Sequence, residues 1–282
     1  MNYNYEKPKK TVPYKLIIVL ILLCMGIIVA YKLLMNNTES KKAMMVKNSV
    51  SSVQKVSEIP KSNVIKQPPV QYNNQKRRVV YLTFDDGPGK YTDHLLDILK
   101  ENNVKATFFL VGSSIKQYPD QVKREVNEGN YVGMHSLTHD ANKLYKQGTF
   151  ISEMKEDQQL IANIIGYSPK LTRPPFGSKP YLSAQQKDEL VQNHLKIWDW
   201  NLDSEDWKYN KMELKDSVPK IVQNVLSHAT GSREVVLIHD IHPQSVEAVP
   251  LIIKGLKEKG YEFEVYNESS HFTLNFWNDN RL

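Results

Sequence analysis

The chain has 282 residues, room for one large domain or two small ones, and a net charge of +6. That charge is uneven: residues 1–76 hold 12 Lys/Arg against 3 Asp/Glu, while residues 77–282 hold 25 against 28. The larger part therefore has no basic bias that would argue for nucleic acid, and the single cysteine, Cys24, excludes an intrachain disulfide.

Residues 1–15 are polar and carry Lys7, Lys9, Lys10 and Lys15. Residues 16–31 contain no charge, and with Leu33 and Leu34 the run is long enough to cross a bilayer, near the short limit. The preceding lysines predict a cytoplasmic N-terminus and an extracellular remainder. No small-residue cleavage site follows Ala30, and Leu23 is too large to precede a lipidated Cys24. Residues 16–34 are thus expected to be an uncleaved transmembrane signal anchor in the cell membrane. Residues 35–76 are rich in Ser, Asn, Lys and Gln, include Pro60, Pro68 and Pro69, and show no amphipathic period. They are expected to be a flexible linker spanning roughly 30–40 Å.

From residue 77 short apolar runs alternate with longer amphipathic ones. Strands are predicted at residues 79–84, 106–111, 131–133, 170–173, 194–200, 235–239 and 261–265. Helices are predicted between them, at residues 92–102, 113–128, 149–165, 183–191, 214–228 and 245–259. This alternation predicts a parallel α/β fold over residues 77–282. Seven to eight strands in about 200 residues suit a distorted, incomplete (β/α) barrel; an open doubly wound sheet is the alternative.

Chemistry in such folds collects at the C-terminal ends of the strands. Asp85 and Asp86 end the first strand before Gly87 and Pro88. Two neighbouring carboxylates repel unless a metal ion or an arginine sits beside them; a solvated turn is the plain alternative. His135 and His139 follow the third strand, at a spacing that shares one face of a helical turn. With a carboxylate from another strand they would form a two-His, one-carboxylate site for a divalent metal. Arg173-Pro174-Pro175-Phe176-Gly177 follows the fourth strand, a rigid loop whose arginine suits a carboxylate. Asp203-Ser204-Glu205-Asp206-Trp207 follows the fifth, and Leu237-Ile238-His239 closes the sixth.

In this order the five motifs resemble those of the polysaccharide deacetylases, carbohydrate esterase family 4, whose fold is the NodB-homology domain. The resemblance spans about residues 79–265 and is most like the membrane-anchored bacterial peptidoglycan N-acetylglucosamine (GlcNAc) deacetylases. It implies that Asp86, His135 and His139 bind one divalent metal, zinc first, with cobalt, nickel or manganese as alternatives. It implies that the metal polarises an acetamido carbonyl and a water, that Asp85 is the general base, and that His239 is the general acid. Asp206 would keep His239 charged and Arg173 would tune Asp85. The backbone N–H of Phe176 would hold the oxyanion, and Trp207 and Leu237 would line a groove for the acetyl methyl. One departure is visible: Phe176 stands where the family more often has Tyr. Relatives with Asn at the second aspartate act on N-acetylmuramic acid (MurNAc), so Asp86 favours GlcNAc. The implied partner is cell-wall peptidoglycan. Chitin-like glycans, poly-N-acetylglucosamine and MurNAc are alternative substrates, and a non-catalytic wall-binding protein is the alternative of another class.

Overall fold

A computed structural model describes residues 75–282, with Gln71, Tyr72 and Lys32. The expected anchor apart from Lys32, the basic N-terminus and most of the expected linker lie outside the described residues. Among the described residues no helix is long and apolar enough to cross a membrane. At the end of the expected linker, Gln71–Tyr72 pairs antiparallel with Gln75–Lys76.

Eight strands follow: β1 (Arg78–Asp85), β2 (Thr107–Leu110), β3 (Tyr131–Met134), β4 (Leu171–Thr172), β5 (Lys196–Ile197), β6 (Leu202–Asp203), β7 (Arg233–His239) and β8 (Tyr261–Phe263). The α-helices among them are α1 (Thr92–Glu101), α2 (Gly112–Gln117), α3 (Pro119–Asn127), α4 (Phe150–Ile165), α5 (Ala184–Gln192), α6 (Leu214–His228) and α7 (Pro243–Glu258). Every pairing in the large sheet is parallel, in the order β5-β4-β3-β2-β1-β7-β6. Read around the sheet, the strands follow chain order and β7 returns beside β1. That is the arrangement of a barrel; a doubly wound sheet grows outward in both directions from its first strands. The barrel is open between β5 and β6. β8 is an extra strand, pairing with the first residues of β1.

Side chains alternate across the strands and sort the core into two layers. Val80, Leu82 and Phe84 of β1, Phe108 and Leu110 of β2, and Val236 and Ile238 of β7 face outward and pack under the helices. Val79, Tyr81, Phe109, Tyr131, Leu171 and Val235 face inward around Trp198. Trp198 meets Tyr81, Tyr266 and Phe272 with ring centroids 4.6–5.1 Å apart and donates its indole N–H to the Phe272 carbonyl. The C-terminal segment covers the open side: Trp198 bridges to Leu274, and Asp199 N donates to the Leu274 carbonyl at 2.8 Å.

The segment predicted as one helix over residues 113–128 is two, α2 and α3. Tyr118 between them (φ −128°, ψ 53°) is not helical, and Pro119 opens α3. A proline disfavours the helical region for the residue before it and cannot donate back into the preceding turn. The predicted strand 194–200 shrinks to Lys196–Ile197, and β6 ends on Asp203, the first residue of the motif that follows.

Candidate metal and acid–base site

The inward-facing column of β1 runs Val79, Tyr81, Thr83, Asp85, and that of β7 runs Val235, Leu237, His239. Asp85 pairs in register with His239, and Thr83 with Leu237. The column is apolar at the bottom and ionisable at the top. His135 and Arg173 directly follow β3 and β4 and reach the same end.

Arg173 is fully buried and spends its donors inside the barrel. Nη1 donates to Asp85 Oδ1 at 2.8 Å and to Thr83 Oγ1 at 2.7 Å; Nε and Nη2 donate to the carbonyls of Trp198 and Asp199. The guanidinium also lies 4.1 Å from the Phe109 ring centroid. A planar, five-donor cation is matched to this set as a lysine would not be. Burial pushes Asp85 up to about 6, with Arg173 pulling against it.

Asp86, His135 and His139 meet as the resemblance implies. Asp86 Oδ1 lies 3.5 Å from His135 Nε2 and 3.4 Å from His139 Nε2. His135 Nδ1–H donates to the Arg173 carbonyl at 2.7 Å, so the Nε2 lone pair faces the cluster. Burial holds His135 well below the usual imidazole range, hence neutral and able to ligate. Asp86 Oδ1 is buried and has no hydrogen-bond partner. Donors about 2.1 Å from one tetrahedral ion stand about 3.4 Å apart, so this trio fits a divalent cation.

The histidines do not share a helical turn, as their spacing suggested; residues 135–139 are an irregular segment. Ser136 (φ 74°) and His139 (φ 53°) are left-handed, and Ser136 Oγ accepts the His139 N–H. Asp86 (φ 75°) and Phe176 (φ 66°) are left-handed too. Such residues cost on the order of 1–3 kcal/mol each and collect where surrounding structure fixes them for a purpose.

On the other side, His239 Nδ1 and Asp206 Oδ1 are 2.8 Å apart. Asp206 is fully buried and also accepts the backbone N–H groups of His239 and Trp207 and the Ser245 hydroxyl. Burial pulls His239 down, but the hydrogen bond and charge of Asp206 outweigh it and push the imidazole up to about 10. Burial likewise pushes Asp206 up, and His239 reverses it to a value below the usual carboxylate range.

The remaining expected residues are less tightly placed. Leu237 is buried one layer below His239. Trp207 is 49% exposed. The Phe176 ring is 49% exposed and meets His139 edge-on, centroids 4.7 Å apart. Its N–H takes no part in the backbone hydrogen bonds among the described residues. Sequence reading missed Thr83, Ser245 and Asp199. Asp199 accepts the N–H and hydroxyl of Ser178 and the N–H of Phe276, tying the Arg173 loop to the C-terminal segment. Their roles do not follow from local pattern, because each acts through a partner 21 to 90 residues away.

Residues 72–193 match the family described as Polysaccharide deacetylase. The chain is 54% identical over 274 residues to a peptidoglycan-N-acetylglucosamine deacetylase of Bacillus cereus, covering 97% of this chain and all of that one. It is 36% identical over 205 residues to a peptidoglycan-N-acetylmuramic acid deacetylase of Bacillus subtilis, covering 72% of this chain and 41% of that protein. Its structure resembles that of a polysaccharide deacetylase from Bacillus cereus with a TM-score of 0.72 and 63% identity, covering 73% of this chain and 100% of that one. Its motifs, its barrel and these relatives agree: the chain belongs to the polysaccharide deacetylase family.

Proposed function

We propose that the chain hydrolyses the N-acetyl group of GlcNAc residues in cell-wall peptidoglycan, releasing acetate and leaving glucosamine. The observation that carries the reading is the facing of two differently tuned groups across β1 and β7: Asp85, held by Arg173, and His239, held by Asp206. Groups whose proton affinities are pushed apart are what a base and an acid need at one pH.

Asp86, His135 and His139 would hold a divalent ion, zinc in this proposal, whose chemistry there is to polarise an amide carbonyl and acidify a water. Asp85, free of its proton above about pH 6, takes the proton of the attacking water through Oδ2. Arg173 occupies Oδ1 and fixes the carboxylate's direction. The C–N bond breaks as His239 gives its Nε2 proton to the departing sugar amine, Nδ1 being held by Asp206. The Phe176 N–H is the donor for the oxyanion, and Leu237 and Trp207 flank the acetyl methyl. The relative of 54% identity is named for GlcNAc, which favours that sugar over MurNAc. From their sequence, residues 16–34 anchor the domain at the cell membrane and residues 35–76 tether it outside.

The test is acetate release by the full chain from intact peptidoglycan and from chitooligosaccharides, before and after metal stripping and zinc restoration. Release from peptidoglycan is expected, with Asp85→Asn lowering the rate about 10²–10⁴-fold while still binding zinc. Loss of zinc binding in Asp85→Asn would mean that the two aspartates exchange roles. Zinc binding with no acetate from either glycan would favour a wall-binding protein.

A further inference from the structure

Two carboxylates on α4 belong to neither the ligand trio nor the acid–base pair, yet both end on the histidine segment. Asp157 Oδ2 accepts the main-chain N–H of His135 at 3.1 Å, sharing it with the Leu110 carbonyl at 2.8 Å. Glu153 Oε2 accepts the N–H of Thr138 at 2.9 Å and its hydroxyl at 2.8 Å. Glu153 Oε1 accepts the Thr149 hydroxyl at the start of the same helix, which fixes its direction. The two residues stand four apart, one above the other on one helix face. Both are buried, on a helix whose other buried residues are Phe150, Met154 and Ile161. Burying two acids costs desolvation that apolar residues would avoid, so their contribution lies in what they grip.

That segment needs a grip. It is neither helix nor strand, and two of its five residues are left-handed. Away from α4, the end of β2 and the start of α2 hold its main chain, with His135 N donating to the Leu110 carbonyl, Gly112 N to the Ser136 carbonyl and Ser113 N to the Leu137 carbonyl, while the His135 ring is held by the Arg173 carbonyl. None of these bonds reaches Thr138, which Glu153 takes by both its N–H and its hydroxyl, and Asp157 adds a second acceptor at His135.

We propose that Glu153 and Asp157 are positioning residues of the metal site, clamping the His135–His139 segment so that both Nε2 atoms converge on Asp86 in advance of an ion. The clamp rests on the metal reading of the trio. It works through acceptor oxygens on main-chain and hydroxyl donors, so Asp157→Asn, which keeps an oxygen at the same reach, preserves it. Asp157→Ala and Glu153→Ala abolish it.

The full chain is stripped with a chelator and titrated with zinc against a chromogenic competitor, with circular dichroism and the thermal midpoint followed in parallel. Folded Asp157→Ala and Glu153→Ala are expected to bind zinc about 10–100-fold more weakly, the usual loss when a partner of a metal ligand is removed. Asp157→Asn is expected within a few-fold of the parent. Parent-like affinity in the alanine variants would overturn the proposal, since the Leu110, Arg173 and α2 contacts would then suffice. So would an asparagine variant as weak as alanine. Unfolding of both alanine variants would overturn it too, because the bonds would then support the fold at large. A parent chain that binds no zinc would remove the metal reading and the clamp together, whereas a zinc-binding parent with unaffected variants removes the clamp alone.

Discussion

His239 sits in a site whose burial alone would strip its proton, and the fully buried Asp206 restores it. Its folded pKa of about 10 lies above the ordinary imidazole value of about 6.5. The sign follows: the stabilisation that pairing lends is fully present below pH 6.5 and is lost as pH rises through about 10. Asp206 is shifted the opposite way, so its share is present above the ordinary carboxylate range and is lost as pH falls below it. Catalysis by a cationic acid should therefore hold well above neutrality. Asp206→Asn keeps the shape and removes the charge. Its alkaline limb in a kcat–pH profile is expected to move down by about 1–3 units, the usual effect of one adjacent opposite charge. An unmoved limb would take His239 out of the role of acid. The roles proposed for Asp85 and His239 come from motif order and resemblance. What the sequence could not give is the depth of burial, and that decides how far each group shifts.

Helices and strands were legible where one local signal was strong. Ser183 and Gln186, at the start of the helix predicted over residues 183–191, form a reciprocal cap, with Gln186 N donating to Ser183 Oγ and Ser183 N to Gln186 Oε1. Ser183→Ala is expected to destabilise the fold by about 1 kcal/mol while leaving kcat unchanged, checked by urea denaturation beside the acetate assay. β1 and β7 were placed within two residues because apolar runs buried on both faces are unambiguous. Where tertiary contacts set the backbone, the sequence misled. His135 and His139 have helical spacing, but Asp157, Glu153 and α2 hold them in an irregular segment. Gly133 on β3 shows how tight this end is: a methyl group there would stand 2.6 Å from the Leu171 carbonyl oxygen and 3.3 Å from the Phe109 ring. Gly133→Ala is expected to cost about 1–3 kcal/mol of stability, measured as a lower denaturation midpoint.

At the level of the molecule, residues outside the strands complete the filling of the barrel interior. Trp198, 1% exposed, is packed against Phe272 of the C-terminal segment. Trp198→Ala is expected to cost about 3–5 kcal/mol, read from the same denaturation curves. The parallel alternation foretold a barrel, but not which side would be open, because that depends on two-residue strands too short to carry a pattern. Strand order has a further consequence, one of timing. β1 is the first strand of the barrel to leave the ribosome, and two of its three neighbours, β7 and β8, come about 150 to 185 residues later. The Arg173 loop is completed later still, since Asp199 joins Ser178 to Phe276. Pairings so distant make folding slow and leave unfinished strand edges exposed. The domain therefore has no early half that can work alone: a nascent chain lacking its last residues holds Asp85, His135 and Arg173 but no finished frame to aim them.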